Sequence, residues 1–227
     1  MEVLSSKFLC NRIIELMSES QTVVKEHIES ALSIYSQGKY LDDMLEAKKI
    51  YFEQTGIANE DDEDFESRMN SFNDWYVLQF QSSHRTRTVM KDYLIEKEID
   101  GDLKDSILNF SFSYFEYTGK SLRKCIVLKD YLNDKKITLP KNHYELGMVK
   151  GDSFVGRLIS FQDESFLLDG LCVMPKEVTS IIKKQAKKVR KTESSEERDH
   201  FLLHLEYLKN KWQRYLHLDP NKIFVFD

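Results

Sequence analysis

The sequence predicts an α+β fold, mostly helical, with a small antiparallel β-sheet packed against helices. Two observations carry this. Apolar residues recur at intervals of three and four through both ends of the chain, and between about residues 121 and 175 that period gives way to short alternating apolar runs separated by turn signals. A third is composition: 41% hydrophobic and 31% charged residues with only 8 glycines and 3 prolines describe an ordinary globular chain of 227 residues, long enough to bury a real core.

The first section, about residues 1–120, reads as helical. Val24, Ile28, Ala31, Leu32 and Tyr35 line one face, and Leu41, Met44, Lys48, Tyr51 and Phe52 a second, on either side of a break at Gln37-Gly38. The second helix stops near Thr55-Gly56, where glycine supplies a left-handed cap. An acidic run, NEDDEDFESRM, then leads into Phe65, Met69, Phe72, Trp75, Tyr76 and Phe80. Carboxylates there complement the unpaired amides of a helix start. After the polar QSSHRTRT, Val89, Tyr93 and Leu94 mark a short helix. The next segment, DLKDSILNFSFSYFEYTG, fits both periods: Leu103, Ile107, Phe110 and Tyr114 suit a helix, whereas Phe110, Phe112 and Tyr114 alternate. Its four-turn length, Asp102 as an N-cap and a stop at Thr118-Gly119 favour the helix.

Residues 121–175 form the small antiparallel β section. KCIVLKDYL and KKITLP read as strands, and breaks at Gly151-Asp152, Gln162-Asp163-Glu164 and Asp169-Gly170 divide the following apolar runs into a meander. Helix resumes over residues 176–227, integrated with the preceding sections rather than forming an independent domain. PKEVTSIIKKQAKKVRK is one helix from Pro175, and the next opens on a capping box, Ser194 with Glu197. Asp219-Pro220 closes it before KIFVFD, which suits an edge strand.

Charge is segregated although the net charge is only -5. Residues 1–64 hold fourteen Asp or Glu against six Lys or Arg, and residues 173–191 hold seven basic residues and one acidic one. At 100° per residue Lys183, Lys184, Lys187, Lys188, Arg190 and Lys191 fall within roughly 160° of one helix face, with Val178, Ile182, Ala186 and Val189 opposite. Such a face suits an acidic protein surface or self-association. Nucleic acid is the alternative partner, bound through phosphates without base specificity, with Phe154, Phe161 and Phe166 as the aromatics near the strands.

Catalytic signatures are weak. His200 and His204 stand at i,i+4, a spacing that can place two imidazoles on one ion, but HFLLH lacks the glutamate of HExxH. Glu196 lies about 12 Å of helical rise from His204, so a third ligand must come from elsewhere, with His27, His84 and His143 unranked. A metal-dependent hydrolase is accordingly the enzymatic alternative. EDDED lacks the EF-hand pattern, VKGDSFVGRL contains neither phosphate-binding glycine motif, and no GxSxG elbow occurs, so no cofactor is implied. Asp152 and Arg157 are a candidate pair at the sheet edge. The aromatics Phe72, Trp75, Tyr76 and Phe80 suit either core or a ligand pocket. Cys10, Cys125 and Cys172 are dispersed and unpaired in pattern, and the pattern of charges and apolar residues is read as neither an export signal nor a bilayer-spanning run. These features point to a noncatalytic cytosolic interaction or regulatory protein without integral membrane association.

Overall fold

The computed structural model describes residues 18–141, 147–192 and 194–226. Among these residues five α-helices come first: α1 (Glu19–Tyr35), α2 (Leu41–Thr55), α3 (Phe65–Leu78), α4 (Val89–Glu96) and α5 (Asp102–Leu108). Strands β1 (Ser111–Lys120), β2 (Ile126–Asp130), β3 (Lys135–Thr138), β4 (Ser153–Phe161), β5 (Glu164–Leu167) and β6 (Cys172–Val173) follow, then α6 (Thr179–Val189) and α7 (Ser195–Arg214). The α+β class is therefore established, with one antiparallel sheet of order β3-β2-β1-β4-β5.

Local chemistry accounts for most boundaries. The Ser18 hydroxyl accepts from Gln21 N to start α1, Thr88 does the same for α4, and Ser194 accepts from Glu197 N at 3.2 Å to start α7. Gly56 ends α2 with φ 85, in the region an L side chain disfavours. The β4–β5 hairpin turns through Gln162 and Asp163, both at positive φ, between the paired residues Phe161 and Glu164. Gln162 is held there because its amide oxygen accepts from Ser20 Oγ of α1 at 2.8 Å.

Two sequence expectations give way. The segment beginning at Asp102 is not one helix: α5 ends at Leu108, its N-cap is Gly101, and Ser111–Lys120 forms the central strand of the sheet. β1 pairs with β2 on one side and β4 on the other, so its backbone groups are satisfied across two ladders that outweigh the local helical spacing. The sheet thus begins at Ser111, ahead of residue 121. At the far end, the described part of KIFVFD, residues 222–226, forms no edge strand. A 3-10 turn at Pro220–Lys222 drops Ile223 and Phe224 into the core as plugs, and the Phe226 ring lies 6.0 Å from that of Phe201.

Strand alternation then divides the core. Phe112 and Tyr114 of β1 with Val155, Arg157 and Ile159 of β4 face the helices, whereas Phe115, Phe154 and Leu158 pack with Leu128, Leu139 and Leu167 on the other face of the curled sheet. α3 is the central helix, buried almost all round from Ser71 to Leu78, with Phe72, Trp75, Tyr76 and Phe80 packed in the core against α1, α2 and α4. α6 and α7 cover the rest of the sheet through Ile182, Ala186, Leu202 and Leu205.

Close approach fixes one glycine. A Cβ on Gly170 would stand 2.5 Å from Ser71 Cα and 2.6 Å from Ser71 N, backbone that cannot swing aside. At Gly156 the nearest obstacle is the movable Leu171 Cδ2, at 2.8 Å. Gly170→Ala is therefore expected to cost about 1–3 kcal/mol in urea unfolding, and Gly156→Ala to lie near neutral; equal costs would contradict this packing.

Candidate functional site

The basic helix α6 is anchored by Val178, Ile182 and Ala186, all buried beside Phe201, Leu202 and Leu205 of α7. Its opposite side turns outward. The six cations divide by angle: Lys183 and Arg190 occupy the edge of the arc next to the sheet, and both are tied inward. Lys183 Nζ is 2.6 Å from Glu116 Oε1 of β1 and 5.4 Å from the Tyr131 ring centre, while Arg190 Nη1 lies 2.8 Å from Asp134 Oδ2. Lys129 and Arg190 together hold the Asp134 carboxyl below its usual range, the Lys129 hydrogen bond being the larger cause. Lys184, Lys187, Lys188 and Lys191 are exposed and span about 100° at spacings i, i+3, i+4, i+7. None of the four has an ion-pair partner among the described residues.

Among the described residues, no carboxylate of the acidic N-terminal section forms an ion pair with this face. Three of its carboxylates are held by other cations: Asp43 by Arg85 at 2.8 Å, Asp62 by Arg68 at 3.6 Å and Asp64 by Lys209. Asp62 also accepts from Asn59 N at 2.8 Å, which chiefly lowers its pKa and gives the acidic run a turn-closing role.

His200 and His204 lie side by side on α7, rings parallel within 3° and centres 6.2 Å apart. They border an open depression with Glu196, Glu197, Phe201 and Phe226. Desolvation, then the neighbouring His200 and Lys211 charges, lowers the His204 pKa. Among the described residues no group of three or more His, Cys, Asp or Glu is placed to hold a metal ion. His27 Nδ1 contacts Tyr93 OH at 3.1 Å on α1, His84 is exposed before α4, and His143 and Cys10 lie outside the described residues. Cys125 and Cys172 are free; desolvation pushes the Cys172 thiol up to about 12, far from a reactive thiolate.

The polar centre that the sequence pattern missed is Arg157. It is not paired with Asp152, whose carboxylate accepts from Val149 N and faces Lys176. Arg157 sits on the helix face of β4 with no solvent exposure, its guanidinium 4.1 Å from the ring centre of Phe112, the residue opposite it on β1. Nε donates to Gln79 Oε1 at 2.8 Å, and Nη1 approaches Ser71 O and Oγ at 3.4 Å. From there two branches run outward. Gln79 Nε2 donates to Asp199 Oδ2 at 2.9 Å; Ser71 Oγ donates to Glu206 Oε1 at 3.1 Å, and Tyr51 OH donates to Glu206 Oε2 at 2.5 Å. Burial raises the pKa of Glu206 and Asp199 and, against the pull of Arg157, pushes Asp74 up to about 7. The sequence held one signal for this centre: a lone arginine in the otherwise apolar strand SFVGRLISF.

Two outcomes test this cluster. Arg157→Met should cost about 3–5 kcal/mol near pH 8, measured by urea unfolding, and less near pH 5, where the surrounding carboxyls take up protons instead of needing the guanidinium. The Asp74 carboxyl, raised from 3.8 to about 7, keeps a proton in the folded state that the unfolded chain has released. Its contribution is therefore complete below about pH 4 and lost as pH climbs to about 7, so Asp74→Asn should gain stability relative to the parent across that window, by as much as about 4 kcal/mol. A pH-independent difference would refute the assignment.

No curated protein and no solved structure is significantly similar to the chain. Residues 20–205, from the first turn of α1 through the sheet and α6 into α7, match the profile described as "Family of unknown function (DUF7986)". Because the match covers most of the chain, the protein belongs to that family of unknown function.

Proposed function

We propose that the protein is a noncatalytic cytosolic interaction or regulatory protein that presents the outer face of α6 to an acidic protein surface. The observation that carries this reading is the division of labour among six neighbouring cations: two tie the helix to the sheet and four lysines at helical spacing face outward. A charged row on an anchored helix steers an oppositely charged partner and fixes its register. Dispersed free thiols support the cytosolic placement, and no helix among the described residues is long and apolar enough to cross a membrane.

Several features favour a protein partner over nucleic acid. Phe154, Phe161 and Phe166 are buried, so these strand rings offer no stacking platform. The carboxylates Glu196 and Glu197 share a depression with Gln185 and Val189 of α6, which disfavours a continuous phosphate track beside the lysines. Self-association uses the same chemistry if the exposed acids Glu60, Asp61, Glu63 and Glu66 of a second copy supply the surface.

Sedimentation and affinity capture with a Lys184→Glu, Lys187→Glu, Lys188→Glu, Lys191→Glu variant test the proposal. Self-association or partner binding should fall at least tenfold while the unfolding midpoint stays within a few degrees. Lys183→Glu should do the reverse, lowering stability by placing a carboxylate against Glu116. Undiminished binding by the fourfold variant would remove α6 as the contact.

A further inference from the structure

A cavity of about 240 Å³ lies between α1, α3 and the end of β5 with the segment that follows it. Ile28, Leu32, Phe166 and Leu168 give it an apolar body, and Gln21, Asn70 and Asn73 add carboxamides. Asp74 reaches into its wall with only 8% of its surface exposed. Asp74 Oδ2 accepts from Gly170 N at 3.2 Å, and Oδ1 has no hydrogen-bond partner among the described residues. The rim carries Lys25, Glu29 and Asp169, with Lys25 Nζ 2.8 Å from Asp169 Oδ2 and 3.9 Å from Glu29 Oε1.

We propose that this cavity is a binding site for a small organic cation, a guanidinium or primary ammonium on a short aliphatic body, received by the Asp74 and Asp169 carboxylates. Charge selects the class: within the cavity wall three carboxylates face one ammonium, so an anion is repelled and a cation gains two unequal acceptors. Lys25 already displays the recognised chemistry, since its ammonium rests on Asp169 at the rim. Size sets the limit. At ~30 Å³ per water-sized unit the space takes about eight heavy atoms, a compact ligand rather than a peptide or nucleotide.

Buried Asp74 has a reason to accept such a partner. The charged groups facing it are Arg157 from β4, Lys25 from α1 and Asp169 from the connection after β5, with Glu29 of α1 also on the cavity wall. Arg157 is turned toward Gln79 and Ser71, so it leaves Oδ1 unbonded. A cation entering the cavity meets an acceptor that gives up a proton as it binds, and affinity should rise with pH.

Calorimetric titration of the full chain with n-butylguanidinium and with its neutral isostere n-butylurea tests this. At pH 8 butylguanidinium is expected to bind one-to-one, at least tenfold more tightly than butylurea, and about tenfold more weakly at pH 6 than at pH 8, as an acid titrating near pH 7 requires. Asp74→Asn keeps the side-chain volume and an acceptor for Gly170 N, and should erase both the cation preference and the pH dependence. Lys25→Met, at the rim, should strengthen butylguanidinium binding several-fold and serves if the Asp74 variant does not fold. Equal binding of butylurea, full cation affinity in Asp74→Asn, no gain in Lys25→Met, or no butylguanidinium binding at millimolar concentration at pH 8 would each overturn the proposal. The fourfold α6 lysine variant should bind butylguanidinium like the parent, which separates this site from the helix face.

Discussion

The buried guanidinium of Arg157 is the constraint on which the arrangement of the other parts depends. A permanently charged group without solvent must find donors' partners and counter-charge inside the protein. Nε and Nη1 find partners on elements that otherwise have little reason to hold one register, while Nη2 has none among the described residues: β4 supplies the arginine, β1 the Phe112 ring beneath it, α3 and its C-cap Ser71 and Gln79, and, one hydrogen bond further out, α7 Glu206 and Asp199 and α2 Tyr51. Apolar packing brings these layers together, but it is tolerant of small slips. A hydrogen-bonded charge is not, because losing one partner leaves a buried polar group unpaired.

The two surfaces with functional promise flank this centre. α7, held to α3 through Glu206 and Asp199, is the helix on which α6 packs, so the outward row of lysines inherits its orientation from the cluster. One turn along the same α3, Asp74 stands three residues from Ser71 and feels the Arg157 charge while it lines a separate cavity. Cations accordingly perform two kinds of work. Arg157, Arg68, Lys183 and Arg190 are spent on internal carboxylates and carbonyls, whereas Lys184, Lys187, Lys188 and Lys191 are left for an external field.

How much of this was legible depends on how local each signal is. The helices α1 to α4, the glycine stop at Gly56, the capping box at Ser194 and the turn at Gln162-Asp163 rest on residues within a few positions of one another, and each was readable. β1 was not, because its strand identity comes from β2 and β4, which lie later in the chain, while Leu103, Ile107, Phe110 and Tyr114 happen to fall at helical spacing. The end of the chain misled for a related reason: Ile223 and Phe224 are apolar because they plug the α6–α7 core, not because they pair with a strand. The basic arc was legible as an arc, but Glu116 and Asp134, which claim Lys183 and Arg190, are distant in sequence. Ser71, Gln79, Asp199 and Glu206 look like ordinary helix-surface polar residues until β4 brings Arg157 among them.

This buried centre makes the helical layer and the sheet one cooperative unit that positions both surfaces. Native-state hydrogen exchange under rising denaturant tests it most directly. The protected amides of α3, β4 and α7 should open together, with one free energy equal to that of global unfolding. If α3 with its neighbouring helices opens at markedly lower free energy while β4 and α7 remain protected, the layers are separate units and the claim fails.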